Sequence, residues 1–430
     1  MTETATALSS AATRVAPVPL IPREALFGNP TRAGGQSSPD GQWLAWMAPH
    51  EGVMNVWLAP ADDPAAARRM TSATERPIPT YFFAPDSRSL LYIQDKAGDE
   101  NYLAYQVDVA SGEERCLTPF ENTRVRLMGA SHAIKDKILV GQSYGDWATR
   151  GWVAALDAKT GEEVWRFYTV PEPGQPGSET WLCDQSGNPD CWKTGGAAAW
   201  VTGSYDEASN TTYWGTGNPV PMYDPEYRPG DNLYSNSTVA LDADTGELKW
   251  HFQYTPGDYM DYDEVGAQLL VDAKVDGEDR KVLAHFGRNG IFYTLDRTNG
   301  SFIAANPYVS KLNWTKGIDP KTGKPVEYDA SKPLQVYANG TMRRGGETVN
   351  TCPNIQGGMN FWPPAVDSST NIAYGAGIEG CSDLTVEQKA PEDVAPGATT
   401  FAGGAAAASG AQTGSIFAFD VTTGKQVASI

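Results

Sequence analysis

A short pattern recurs four times along the chain and limits the folds open to it. Each copy is an apolar strand ending in Asp, a tight turn closed by Thr-Gly or Asn-Gly, and a second strand. The copies are VAALDAKTGEEVW (Asp157 to Trp165), VALDADTGELKW (Asp242 to Trp250), FYTLDRTNGSF (Asp296 to Phe302) and FAFDVTTGKQV (Asp420 to Val427). In such a turn the Asp carboxylate can cap free backbone N–H groups and Gly takes the left-handed backbone, while alternation on either side buries one strand face. Weaker hairpins read from SYDEASNTTYWGTGN and AVDSSTNIAYGAG. The Asp positions are 85, 54 and 124 residues apart, which leaves room for unmarked strands and inserted loops. Repeated antiparallel units of this size predict an all-β chain, a β-propeller of four-stranded blades. With 44 Gly, 30 Pro, 13 Trp, 19 Tyr and 13 Phe, the composition suits short strands joined by turns better than a helical bundle.

The first 130 residues repeat differently. SPDGQWLAW (Ser38 to Trp46) and APDSRSLLYIQD (Ala84 to Asp95) are Pro-Asp turns feeding apolar strands, and YQVDVASGEERCLTP (Tyr105 to Pro119) closes another hairpin. The change of pattern falls between about Val125 and Ala133. Residues 1–19 read as a disordered tail without a recognisable secretory leader. The Ala/Gly/Pro-rich segment from Glu387 to Gly414 reads as a flexible surface loop. No run of eighteen apolar residues exists, so no membrane-spanning helix is expected. A net charge of -19 argues against a nucleic-acid surface.

Five cysteines, Cys116, Cys183, Cys191, Cys352 and Cys381, show no zinc-knuckle spacing and no C-x-x-C-H haem motif. Either Cys183 pairs with Cys191 around the loop DQSGNPD and Cys352 with Cys381, leaving Cys116 over, or all five are thiols. Pairing implies an oxidising compartment.

Two constellations could carry chemistry. Gly141-Gln142-Ser143-Tyr144-Gly145 matches the G-x-S-x-G of serine hydrolases, but a repeat strand follows it where a helix is required. The second is larger: Asp146, Trp200, Asn218, Asp258, Asp261, Asp263, Arg288, Asn289 and Asn360 all fall beside glycines at strand ends. Asp and Asn oxygens suit a hard cation, and an indole beside small residues suits a planar ring. Taken singly, each also has an ordinary structural role as turn cap, core residue or surface ion pair.

From about Ile134 to the end, the sequence resembles PQQ-dependent (pyrroloquinoline-quinone-dependent) alcohol dehydrogenases of the methanol/ethanol type. The resemblance rests on VGQSYGDWATRGWVAALDAKTGEEVWRFYTV, RPGDNLYSNSTVALDADTGELKWHFQYTPGD, GRNGIFYTLDR and NIQGGMNFWPPA. It implies an eight-bladed propeller with quinone and metal near the axis, here partial or hybrid. It assigns Ser143, Tyr144 and Gly145 to the turn contacting the quinone carboxylates, Trp200 to the stacking tryptophan and Asn360 to a further quinone contact. Asp146 stands where the family has a Glu metal ligand; Asn218 matches the amide ligand. Asp261 matches the catalytic base and a metal ligand, and Asp263 the extra carboxylate of lanthanide-using members, so calcium and a lanthanide both stay open. Arg288 matches the arginine near the reactive quinone carbonyl, and Cys352 with Cys381 a structural disulfide. The implied partners are a small primary alcohol and a separate electron acceptor such as a c-type cytochrome, in the periplasm.

The chain also departs from that family. It lacks the adjacent Cys-Cys pair that covers the quinone's other face, and Ala198 replaces a threonine. Residues 20–130 instead resemble the propeller of prolyl-oligopeptidase-like serine peptidases, through LIPREALFGNPTRAGGQSSPDGQWLAW and FAPDSRSLLYIQDKAGDENYLAYQVDVASGEE. The expected organisation is therefore peptidase-propeller-like blades over 20–130 and quinoprotein blades over 131–430, ending before the family's final blades. The alternatives are a non-catalytic propeller scaffold and a serine peptidase.

Overall fold

The computed structural model describes residues 31–120, 123–125, 137–388, 394–397 and 403–430, arranged as consecutive antiparallel sheets. The proposed tail at 1–19 and most of the 125–133 transition lie outside the described residues.

The first sheet contains β1 (Ala33–Ser37), β2 (Trp43–His50), β3 (Val53–Pro60) and β4 (Arg68–Arg69). The second contains β5 (Tyr81–Phe83), β6 (Ser89–Gln94), β7 (Leu103–Asp108) and β8 (Glu114–Cys116). The third has three strands among the described residues: β9 (Lys137–Gly141), β10 (Trp152–Asp157) and β11 (Glu163–Tyr168). The fourth is β12 (Ser204–Asp206), β13 (Thr211–Gly215), β14 (Ser237–Asp242) and β15 (Leu248–Gln253). The fifth is β16 (Leu269–Val275), β17 (Glu278–Phe286), β18 (Ile291–Asp296) and β19 (Phe302–Pro307). The sixth is β20 (Val349–Thr351), β21 (Ala365–Asp367), β22 (Ile372–Val386), β23 (Gly404–Asp420) and β24 (Lys425–Ser429).

The expected Asp-Gly turns join β10 to β11, β14 to β15, β18 to β19 and β23 to β24. In each, the Asp carboxylate accepts a backbone N–H two residues on, at 2.7–3.0 Å. A bulge recurs just before each Asp, at Leu156, Leu241, Leu295 and Phe419. The two weaker hairpins form as well, β12 with β13 and β21 with β22. The expectation of a loop at 387–414 is overturned in part. Gly404 to Gly414 continue β23 and pair with Ile378 to Val386, because a run of small residues satisfies its backbone against a neighbouring strand without needing a buried face.

Apolar contacts run from sheet to sheet. Leu58, Val56 and Tyr81 join the first to the second; Leu91, Leu117 and Ile138 join the second to the third; Val153, Trp214 and Val239 join the third to the fourth. Two larger clusters unite the fourth, fifth and sixth. The repeat also explains how neighbouring sheets are locked. Trp165 Nε1 donates to Ala243 O at 3.0 Å, and the indole lies where a Cβ on Gly246 would come within 2.5 Å of it. Trp250 repeats this on the next turn, donating to Arg297 O at 3.0 Å over Gly300. Over Gly161, where the second sheet meets the third, the Leu117 carbonyl occupies the space that an indole fills at the later junctions. Trp165→Ala should lower unfolding free energy by about 3–5 kcal/mol in a denaturant titration, since a buried indole and its hydrogen bond are lost together.

Both disulfides of the paired alternative are formed, Cys183–Cys191 and Cys352–Cys381, and Cys116 is a half-buried free thiol.

Candidate functional site

In an antiparallel meander, successive connections alternate between the two ends of the sheet. The Asp-Gly turns, each just before the last strand of its sheet, therefore mark one end. The connections one step earlier, and the links from each last strand to the next sheet, gather at the other. The sequence-predicted residues follow this rule. Ser143 to Asp146 follow β9, Asn218 follows β13, Asp261 and Asp263 follow β15, and Arg288 follows β17; Asn360 lies on the link from β19 towards β21.

At that end a cavity of about 800 Å³ is lined by Ser143, Tyr144, Gly145, Asp146, Trp200, Asp261, Asp263, Arg288 and Asn360. Asn218 lies behind the lining, fully buried. Ser143 Oγ donates to Arg124 O at 3.1 Å. Among the described residues no histidine lines the cavity: His285 is bound to Glu264 at 2.7 Å, and the His251 ring packs edge-on against Tyr234. Among the described residues Ser143 thus has no base beside it, which does not favour the serine-hydrolase alternative.

Asp261 sits in left-handed backbone, φ 66°, a conformation a non-glycine residue keeps only when its surroundings enforce it. Asp258 does the enforcing. Its carboxylate accepts Met260 N at 2.9 Å, Tyr262 N at 3.0 Å and Asn236 Nδ2 at 3.2 Å, bracketing Asp261 on both sides. Arg288 then ties the carboxylates together, donating to Asp261 Oδ2 at 3.2 Å through Nη2 and to Asp263 through Nη1. Its Nε donates to Ile355 O at 3.1 Å. Burial pulls the guanidinium down, but Asp261, Asp263 and Asp146 outweigh it and hold Arg288 above its ordinary value. Burial pushes Asp261 well above the usual carboxylate range, with Asp263 and Asp146 adding to the rise against the pull of Arg288. Asp146 is raised too, by desolvation and then by Asp263.

The donor set has the chemistry of a hard-cation site. Two buried oxygens, Asn218 Oδ1 and Asp261 Oδ1, have no hydrogen-bond partner among the described residues. An orphaned buried acceptor costs free energy unless a cation or donor meets it. Asp263 is differently placed, because Oδ1 accepts Asn218 N at 2.6 Å and Oδ2 is held by Arg288. Among the described residues no group of three His, Cys, Asp or Glu side chains is arranged around one point. The available set is a carboxylate and an amide oxygen, with Asp146 and Asp263 on the same cavity wall. Glycine makes this packing feasible: a Cβ on Gly217 would lie 2.5 Å from Asp263 Oδ1.

Four lining residues escaped the sequence reading because they come from the second sheet and the chain after it: Asp99, Glu100, Asn101 and Arg124. Met222, Tyr223, Ile355, Gln356 and Phe361 also line the cavity. The alternation rule was the available signal, since β6–β7 is a second-to-third connection.

Residues 106–305 match the family model described as "Glucose/ethanol/alcohol dehydrogenase, beta-propeller domain". The chain is 35% identical to a putative dehydrogenase XoxF of Paracoccus denitrificans, over 66% of this chain and 50% of that one. It is 34% identical to a lanthanide-dependent methanol dehydrogenase of Methylorubrum extorquens (69% and 49%), and 37% to a quinohemoprotein alcohol dehydrogenase of Comamonas testosteroni (62% and 38%). The chain thus spans half the length, or less, of these curated relatives. Among solved structures it is similar to a europium-containing methanol dehydrogenase, with TM-score 0.71 and 25% identity, over 91% of this chain and 69% of that one. That coverage leaves under a tenth of this chain outside the match.

Proposed function

The chain belongs to the PQQ-dependent alcohol dehydrogenase family, and on that premise we propose that it oxidises a primary alcohol to an aldehyde with a bound quinone and a calcium or lanthanide ion. The observation that carries this reading is Asp261: one carboxylate oxygen is held by Arg288, and the other is free, in a cavity shared with Trp200. Trp200 offers a flat face for the quinone, the Ser143–Gly145 turn its polar edge, and Asn360 a further contact. Asn218 and Asp261 would hold the ion, with Asp146 and Asp263 as the nearby carboxylates. When bound, the quinone supplies the two-electron acceptor and the ion the Lewis acid. The protein's own part is narrower. Asp261 accepts the hydroxyl proton of the alcohol, Arg288 fixes the direction of that carboxylate, and Asp258 fixes the backbone beneath it.

The described part of residues 20–130 is read as blades of peptidase-propeller type that close the near wall of the pocket; the Leu117 carbonyl in place of an indole over Gly161 supports a junction of different kind there. A separate electron acceptor such as a c-type cytochrome and a periplasmic location complete the proposal. Two disulfides support an oxidising compartment, and no described helix is long and apolar enough to cross a membrane.

The test is reconstitution of the purified chain with the quinone plus calcium or lanthanum, followed by dye reduction with ethanol. Turnover that needs both quinone and ion is expected. Quinone binding without turnover under every ion would leave the scaffold alternative instead.

A further inference from the structure

The β6–β7 connection of the second sheet is tightly built. Ala97, Gly98 and Glu100 take left-handed backbone (φ 54°, 85° and 59°), and buried Asp95 accepts Glu100 N at 3.4 Å. Asp99 Oδ1 accepts Lys96 N at 3.2 Å and Asn101 N at 3.0 Å. Arg124 ties the loop to the pocket: it pairs with Glu100 at 3.3 Å, lies over the Tyr102 ring at 5.4 Å, and its carbonyl holds Ser143 Oγ. Asp99 and Glu100 are exposed at the cavity wall.

This loop changes the charge of the pocket. Among the described residues five acidic side chains line the cavity, Asp99, Glu100, Asp146, Asp261 and Asp263, against two arginines, Arg124 and Arg288. A quinone carrying carboxylates meets like charge there. A cation has a place to go, because the buried Asn218 Oδ1 and Asp261 Oδ1 have no partner among the described residues. We propose that the 95–102 loop is an acidic lip that makes capture of the anionic quinone conditional on the cation. This rests on the quinoprotein reading and deepens it. Without the ion the lip and floor repel the quinone; calcium cancels the charge of the floor and a lanthanide reverses it, and the lip's contribution is small beside that change. Linkage requires the converse, that quinone tightens the ion by the same factor.

The experiment uses the full chain and follows quinone binding by quenching of tryptophan fluorescence, with a chelator or with calcium or lanthanum present. The wild-type protein should bind quinone at least about 10-fold more weakly in chelator, a coupling within the usual range. The variant Asp99→Asn/Glu100→Gln should bind metal-free quinone about 3- to 20-fold more tightly than wild type, two exposed charges each having a modest effect. Its affinity with the ion should change less than about 2-fold, and added salt should shrink the metal-free difference. Glu113→Gln, an exposed acid at the other end of the same sheet, should leave both affinities unchanged. Equal metal-free affinity of variant and wild type, alongside ion-dependent binding by both, overturns the lip alone. Failure of the wild-type chain to bind quinone under any ion overturns the quinoprotein reading itself.

Discussion

Asp261→Asn is expected to lower kcat for alcohol oxidation by about 10²- to 10⁴-fold, the usual share of a positioned general base. KM for the alcohol and quinone affinity should move by no more than a few-fold. The substitution keeps the shape of the side chain but removes the group that accepts the proton. Arg288 still has the Asp263 carboxylate and the Ile355 carbonyl, so the guanidinium stays in place. The left-handed backbone at 261 is also tolerated, since Asn adopts that region more readily than most residues. Dye-linked kinetics under saturating quinone and ion measure the effect, with a thermal melt to show that the fold is intact. Turnover near the wild-type rate would remove Asp261 from the chemistry. A parallel fall in quinone affinity would recast it as a cofactor residue.

How much of this was legible from the residues depends on how local each interaction is. The Asp-Gly turns could be read because Asp157, Asp242, Asp296 and Asp420 bond backbone N–H groups only two or three positions away. Trp165 and Trp250 were visible as repeat residues, but their docking on Gly246 and Gly300 was not, because it joins neighbouring sheets. The cavity residues were found through family resemblance; composition and spacing left Asp146, Trp200 and Arg288 with ordinary alternatives. Asp99, Glu100 and Asn101 were missed because nothing in DKAGDENY marks it as more than a turn. Only the strand count, which sends the β6–β7 connection to the same end as β13–β14, brings those charges to Ser143. The segment from Gly404 failed for a related reason: its Ala and Gly residues carry no strand pattern, and pairing with β22 is what makes them a strand.

Gly357→Ala should reduce turnover by about 10²-fold or more while leaving the distant blades intact. Gly357 lies beneath Arg288 with φ +75°, and an added Cβ would fall 1.9 Å from Arg288 Cγ and 2.6 Å from its carbonyl oxygen. Two costs combine there. The left-handed backbone penalises any Cβ by about 1–2 kcal/mol, and overpacking adds about 1–3 kcal/mol. The second cost has functional consequences, because the atom that must yield belongs to the arginine that aims Asp261 and Asp263. Moving it also strains the Gly358 N to Arg288 O hydrogen bond, 2.9 Å long, that joins the two loops. A displacement of about 1 Å in a positioning group is enough for a 10²-fold loss. Gly277→Ala separates the two effects: its φ is +86°, yet nothing lies within 4 Å of the added Cβ. That variant should melt lower than wild type and turn over normally. If Gly357→Ala behaves in the same way, stability falling and kcat unchanged, then Arg288 does not set the direction of the base, and the site must orient Asp261 through Asp258 alone.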